Sequence, residues 1–133
     1  MRVVLDTNIL VSALLIQLGI PAAVYRAWHE GHFTLLTCPE QLNELRATLS
    51  KPALAARIKP YQAGRLVNEL NELAETVGSL PRIKRSPDPT DDFLLALSEA
   101  GQADYLVTGD KSGLLALARH QATRIIDFMA LFA

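Results

Sequence analysis

The sequence predicts an α/β fold: a three-layer α/β/α sandwich in which helices cover both faces of a central parallel sheet. Short apolar runs of strand length alternate along the chain with longer segments whose apolar residues recur every three or four positions. The strand-like runs are apolar throughout, which is typical of parallel strands buried on both faces. The chain has 133 residues, enough for one such fold, so we predict a single domain over residues 1–133.

The predicted strands are short runs rich in Val, Ile, Leu and Thr that stop at polar or turn residues. The first run ends at Asp6, and the clearest one, Tyr105-Leu-Val-Thr108, ends at Gly109. The predicted strands cover residues 2–5, 33–37, 105–108 and 124–126, and residues 79–85 are predicted as a strand or an extended segment.

Amphipathic periodicity predicts the helices, and proline and glycine mark many of their ends. Pro21 opens the second helix and Gly31 follows it. In the longest helix, Leu73 and Val77 are expected to continue the inward-facing stripe. The predicted helices cover residues 9–17, 21–30, 40–49, 62–77 and 91–101, with short helical segments after Pro52 and around residues 114–117.

Composition excludes several classes of protein. A net charge of −1 is not that of a protein that coats nucleic acid through charge alone. The single cysteine, Cys38, cannot form an internal disulfide or, unaided, a structural zinc site. No apolar run approaches the roughly 20 residues of a membrane span, and no cleavage pattern follows the N-terminal apolar stretch. We therefore expect a cytoplasmic location.

Acidic residues fall where the predicted strands end. Asp6 follows the first strand and Asp110 follows residues 105–108, and the carboxyl ends of parallel strands meet at one edge of a sheet. Asp92 lies in the first turn of the helix leading into the second of these strands, and Glu44 borders the apolar stripe of the third helix. Taken singly, each has an ordinary explanation as a turn residue, a first-turn acid or a surface acid.

Taken together, these acids indicate a metal site. Carboxylates that converge on one edge repel each other and raise one another's pKa values. A divalent cation offsets that cost, and oxygen ligands without histidine or cysteine favour Mg²⁺ or Mn²⁺ over Zn²⁺. A cation held in this way is suited to phosphodiester hydrolysis.

The order of four motifs resembles that of the PIN-domain family over essentially the whole chain. Val3-Val-Leu-Asp-Thr-Asn8 resembles the opening strand, and Leu42-Asn-Glu-Leu45 resembles the helix with the conserved glutamate. Asp88-Pro-Thr-Asp-Asp-Phe-Leu-Leu-Ala96 resembles the segment with the third acid, and Leu106-Val-Thr-Gly-Asp110 resembles the last strand motif. The chain is most similar to the toxin components of toxin–antitoxin systems, of the VapC type.

The resemblance implies a PIN-like fold and a metal-dependent endoribonuclease that uses Mg²⁺ or Mn²⁺. It implies a cognate antitoxin as partner, RNA as substrate and, through the first two helices, a homodimer. Asp92 is preferred over Asp91 because the family's acid directly precedes the pattern matched by residues 93–96. Asn8 and Thr108 would orient carboxylates or the attacking water. The implied catalytic acids and metal ligands are Asp6, Glu44, Asp92 and Asp110.

Basic residues flank these motifs and are expected to contact RNA phosphates, with a solvated rim as the alternative. They are Arg46, Lys51, Lys84, Arg85 and Lys111. No metal-binding role is predicted for the histidines, because none has ligand spacing to the acids. They are His29, His32 and His120.

Three other functions compete with this interpretation. A haloacid-dehalogenase-type phosphatase requires a second acid where this chain has Asn8. A phosphate-receiver domain requires a phosphoacceptor aspartate near mid-chain, but residues 45–65 contain no acid. A catalytically silent RNA-binding PIN module stays open as the alternative, although unneutralised carboxylates would repel phosphate.

Overall fold

The computed structural model describes residues 1–110 and 112–132 of the chain. Within them, one six-stranded sheet has the strand order β3-β2-β1-β4-β6-β5. Neighbouring strands are parallel except β5 and β6, which form an antiparallel pair at one edge. The strands are β1 Arg2–Leu5, β2 Thr34–Thr37, β3 Glu75–Thr76, β4 Tyr105–Val107, β5 Arg119–His120 and β6 Thr123–Ile126.

Helices fill the connections between successive strands, except the turn between β5 and β6. Proline stands at the start of several of them, where its missing N–H leaves no helical hydrogen bond unmade. The helices are α1 Thr7–Leu15, α2 Ile20–His29, α3 Pro39–Leu49, α4 Pro52–Ala55, α5 Pro60–Leu73, α6 Asp92–Ala100 and α7 Leu114–Leu117, with 3₁₀ turns at Pro89–Asp91 and Ala130–Phe132.

The helices lie on both faces of the sheet, as the sequence predicts for a three-layer α/β/α fold. Alternate residues of a strand point to opposite faces. Val3 and Leu5 therefore pack against the helices α1, α2, α3 and α5, while Val4 packs against α6 and α7. All three side chains are almost completely buried. Burial on both faces of the sheet explains why the strand sequences are apolar throughout.

The predicted helix over residues 62–77 is corrected in the structure. The helix ends at Leu73, the side chain of Leu73 is 61% exposed, and Val77 packs on the opposite face of the sheet. The chain turns at Ala74 and pairs Glu75–Thr76 with the free edge of β2. The backbone hydrogen bonds of that edge outweigh the helical periodicity of the sequence.

Two other parts of the sheet differ from the prediction. Residues 79–85 form neither a strand nor a helix. The short strand Arg119–His120, which was not predicted, makes the sheet mixed rather than purely parallel. Two residues are too few to show a strand pattern.

No single helix in the described ranges is long and apolar enough to cross a membrane. Only α1 and α2 taken together reach the required length and composition, and they meet at an angle of 103°.

Candidate active site

Asp6 is a buried carboxylate at the carboxyl end of β1. Its side chain is 6% exposed, and it caps α1 by accepting a hydrogen bond from the Asn8 backbone N–H at 3.2 Å. Its second oxygen accepts the Thr108 hydroxyl at 2.8 Å. Burial raises the pKa of Asp6, these two hydrogen bonds lower it, and the charge of Asp110 raises it further.

Thr108 joins the two strand-end acids. Its fully buried hydroxyl donates to Asp6 and accepts a hydrogen bond from the Asp110 backbone N–H at 3.2 Å. The Asp110 carboxylate accepts in turn from the Ser112 hydroxyl at 3.3 Å and from the Gly113 N–H at 3.1 Å. Hydrogen bonds therefore fix the loop after β4 against Asp6.

Thr108→Val is expected to break this connection. The valine is nearly isosteric, so the buried Asp6 carboxylate and the Asp110 N–H lose one partner each. We expect the free energy of unfolding to fall by about 1–3 kcal/mol and the pKa of Asp6 to rise further. Urea denaturation and a ¹³C NMR titration of the Asp6 carboxyl measure these two quantities. Thr108→Ser keeps the hydroxyl, so equal values for the two variants would contradict the role of the bond.

Glu44 faces Asp6 from the helix α3. Burial raises the pKa of the half-buried Glu44, the negative charges of Asp6 and Asp88 raise it further, and Lys51 opposes the rise. The same helix is fixed one turn earlier by Gln41, which is 1% exposed. Its amide donates to the Leu5 carbonyl at 2.7 Å and accepts the Thr37 hydroxyl at 2.8 Å.

The role of Gln41 was not predicted from the sequence. The helical spacing places Gln41 on the inward-facing stripe, where one polar residue gives no distinctive pattern. Only the structure shows that its amide joins α3 to the carboxyl ends of both β1 and β2.

Asp91 belongs to the same acidic group. Its pKa is raised to about 6, first by burial and then by the charges of Asp6, Asp88, Glu44 and Asp110. The negative charges of these four carboxylates therefore act together on Asp91.

Asp92, which the sequence predicts as one of these acids, makes contacts of a different kind, and its part in metal binding stays a prediction. One of its carboxylate oxygens accepts the backbone N–H groups of Arg85 at 3.0 Å and Ser86 at 2.7 Å. Successive residues of a helical turn point about 100° apart, so neighbouring aspartates face different surroundings.

Comparisons with known proteins identify the family. A family model described as "PIN domain" matches residues 2–112. The chain belongs to the PIN-domain family. The matched range contains Asp6, Glu44, Asp91 and Asp110. Proteins of this family are typically nucleases that use divalent metal ions.

A solved structure supports the fold. A chain in the crystal structure of VapBC2 from Rickettsia felis, bound to a DNA fragment from their promoter, matches this PIN domain with a TM-score of 0.62. The two share 17% sequence identity, and the match covers 94% of this chain and 97% of the other. A search of curated proteins found no match.

The donor chemistry of the PIN-domain site fits a hard divalent cation. The acids at the sheet edge offer only carboxylate oxygens, and the pKa values of Asp6, Glu44 and Asp91 are each raised by neighbouring negative charges. As placed, however, no three His, Cys, Asp or Glu side chains in the described residues are close enough together to hold a metal ion. Metal binding therefore requires the carboxylates to converge.

The basic residues and Asn8 occupy several different positions. Arg46, Lys51 and Lys84 are exposed, and their contact with RNA stays a prediction, while Lys111 lies outside the described residues. Asn8 is exposed and contributes its backbone N–H to Asp6.

Arg85 is engaged within the protein. Its guanidinium donates to the Arg119 carbonyl at 2.6 Å and contacts His120 Nδ1 at 3.0 Å. The other ring nitrogen of the buried His120 lies 3.0 Å from Glu99. Arg85 and His120 thus join residues 85–86 to the β5 edge, which makes Arg85 a weaker candidate for RNA contact.

The acidic group is expected to destabilise the metal-free protein as the pH rises. A carboxyl whose pKa is raised by folding contributes stability at low pH that is lost as the pH rises through its folded-state pKa, which is about 6 for Asp91. After allowance for solvent screening, we expect the free energy of unfolding to fall by about 1–2 kcal/mol between about pH 4.5 and pH 6.5.

Urea denaturation in EDTA across this range measures the effect, and Asp91→Asn serves as the control because it removes the titrating group. Mg²⁺ or Mn²⁺ added near pH 7 should restore stability. Stability that rises with pH over this window in wild type, or a slope unchanged in Asp91→Asn, would contradict the coupling.

Proposed function

We propose that this PIN domain is a metal-dependent endoribonuclease that acts as the toxin of a toxin–antitoxin pair. One observation carries the proposal. Carboxylates from four separate parts of the chain lie around the carboxyl edge of the sheet, and the pKa values of Asp6, Glu44 and Asp91 are raised by one another's charges or by that of Asp110. A fold that maintains such repulsion is suited to a cation and an anionic substrate.

The proposed metal-holding residues are Asp6, Glu44, Asp91 and Asp110, with Mg²⁺ or Mn²⁺ as the cation. When bound, the ion would supply charge neutralisation for the carboxylates and for the phosphate in the transition state. The protein's own part is positioning. Thr108 orients Asp6 against the Asp110 loop, and Gln41 fixes the helix that carries Glu44.

Cleavage of a mixed RNA pool by the purified protein tests the proposal. The reactions contain Mg²⁺, Mn²⁺ or EDTA, and Asp6→Asn is the matched variant because it keeps the size of the buried side chain. Metal-dependent cleavage that the variant lacks supports the nuclease, and sequencing of the fragment ends then gives the site of cleavage. A folded protein that binds RNA but cleaves none with either metal would instead support the silent RNA-binding module.

The antitoxin is part of the proposal. The similar chain described above was crystallised in a VapBC2 complex with promoter DNA, and this PIN domain exposes Ile16 and Leu18 between α1 and α2. A partner that covers the acidic edge and inserts an arginine or lysine would neutralise the carboxylates. Co-purification with a small protein encoded beside this one, together with loss of cleavage, is the expected result. A homodimer through the first two helices is tested in the same preparations by light scattering.

A further inference from the structure

A pocket of about 280 Å³ opens directly beside two of the acids. Asp6 and Asp110 are among the residues that line it. Asn8 and Ser12 also line it, and they share a face of α1 because they are four residues apart. A ligand in this pocket would therefore be in contact with the site proposed to hold the metal.

An aromatic ring also lines the pocket. Phe128 follows β6, is half-buried and lines the pocket together with Pro21. Its ring lies over Gly109, since a Cβ on that glycine would be 3.5 Å from the Phe128 Cε1 atom. A side chain larger than alanine at position 109 would compete with the ring for this space.

The pocket favours an uncharged planar ligand that can form hydrogen bonds. None of the described residues that line it is basic, and Asp6 and Asp110 would repel an anion placed inside it. Phe128 and Pro21 offer apolar surfaces. The Asn8 amide and the Ser12 hydroxyl form no hydrogen bond with other described residues, so both are available to a ligand.

We propose that this pocket receives one nucleobase of a single-stranded RNA, next to the phosphate that is cleaved. Phe128 provides the stacking surface, and Asn8 and Ser12 contact the edge of the base. The inference rests on the proposed nuclease function for the position of the phosphate. The pocket is slightly smaller than typical sites for drug-sized ligands, so it suits a single base and not a base pair.

Binding of free ribonucleosides tests the pocket without any cleavage. The four ribonucleosides carry no phosphate, so the acids do not repel them, and EDTA can be present throughout. In an NMR titration of labelled protein, we expect at least one of them to shift the Phe128 ring signals and the Ser12 amide signal. Phe128→Ala should weaken that binding by about tenfold or more, while Met129→Ala, at an exposed neighbour, should leave it unchanged.

A second variant covers the case in which Phe128→Ala unfolds the protein. Ser12→Leu fills the pocket from the helix side and should abolish nucleoside binding. Nucleoside shifts that persist in Ser12→Leu, or no shifts at the pocket with any nucleoside, would overturn the inference.

A cleavage assay then connects the pocket to the reaction. A single-stranded RNA with an abasic nucleotide beside the cleaved bond should be cut about tenfold more slowly than the intact RNA by wild type, but at the same rate as the intact RNA by Phe128→Ala. Equal rates for both RNAs in wild type would refute the base pocket while the nuclease function stands. Nucleoside binding at Phe128 without any RNA cleavage would refute the nuclease and leave the pocket.

Discussion

Asp91→Asn is expected to lower metal-dependent RNA cleavage by about 100-fold or more, whereas Asp92→Asn should keep cleavage within about tenfold of wild type. Asp91 is coupled to Asp6, Glu44 and Asp110 through their charges, and its pKa is raised to about 6. Its replacement removes one negative charge from the group that is proposed to hold the cation.

Asp92 is expected to stabilise the fold and not to take part in catalysis. Its carboxylate accepts the N–H groups of Arg85 and Ser86, and an asparagine oxygen can accept the same two bonds. Asp92→Asn is therefore a matched control of the same size, with an expected loss of stability of about 1 kcal/mol or less. Asp92→Ala leaves both N–H groups without their acceptor and should cost about 1–3 kcal/mol.

Single-turnover cleavage rates at saturating Mg²⁺ and urea denaturation of each variant separate the two effects. Asp91→Asn should fold normally and fail to cleave. Asp92→Ala should cleave, provided that it is folded at the assay temperature. A cleavage defect in Asp92→Asn as large as that in Asp91→Asn would restore Asp92 to the catalytic group and contradict the structural assignment.

The different contacts of the neighbouring residues Asp91 and Asp92 could not be predicted from the sequence. The motif around residues 88–96 correctly predicts a helix at the sheet edge and an acid at its start. Which acid faces the group depends on the 3₁₀ turn at Pro89–Asp91 and on the exact residue at which the helix begins. Boundaries are the least certain part of a prediction from sequence.

The sequence predicts the residues at which β1 and β4 end better than the residue at which α5 ends. Asp6 and Asp110 follow apolar runs that the sheet buries, so the topology alone brings them to one edge. The end of α5 depended instead on an unpaired strand edge far along the chain. Pairing with a strand that is distant in sequence does not change the hydrophobic pattern of the segment that pairs, so the pattern cannot predict it.

The residues that support the site were the hardest to predict. Gln41 and Phe128 gain their roles from contacts with the carbonyl of Leu5 and with Gly109, both distant in sequence. The contact of Arg85 with RNA stays a prediction, and the sequence did not show that its guanidinium also hydrogen-bonds to the protein. Charge and position along the chain do not show which partner a long side chain selects.

Gly113→Ala is expected to disable the site while leaving the fold intact. A Cβ at position 113 would overlap the Asp110 carboxylate, with its Cγ atom only 2.8 Å away. The atoms in conflict belong to the end of a flexible side chain, so the conflict is relieved by moving the Asp110 carboxylate and not by unfolding. That movement breaks the bond from the Gly113 N–H to Asp110.

We therefore expect about 100-fold slower cleavage and weaker binding of Mn²⁺, with the free energy of unfolding within about 1 kcal/mol of wild type. Gly64→Ala is the matched control, because nothing lies within 4 Å of a Cβ there and the position is inside α5. That control should cleave normally and gain about 0.5–1 kcal/mol of stability.

Calorimetric titration with Mn²⁺ and single-turnover cleavage measure the outcome, and urea denaturation checks the fold. Normal metal affinity in a folded Gly113→Ala variant would mean that the position of the Asp110 carboxylate beside Gly113 is not needed for metal binding. Loss of Mn²⁺ affinity and of cleavage with unchanged stability would place Asp110 in the metal-holding group and assign Gly113 the role of making room for its carboxylate.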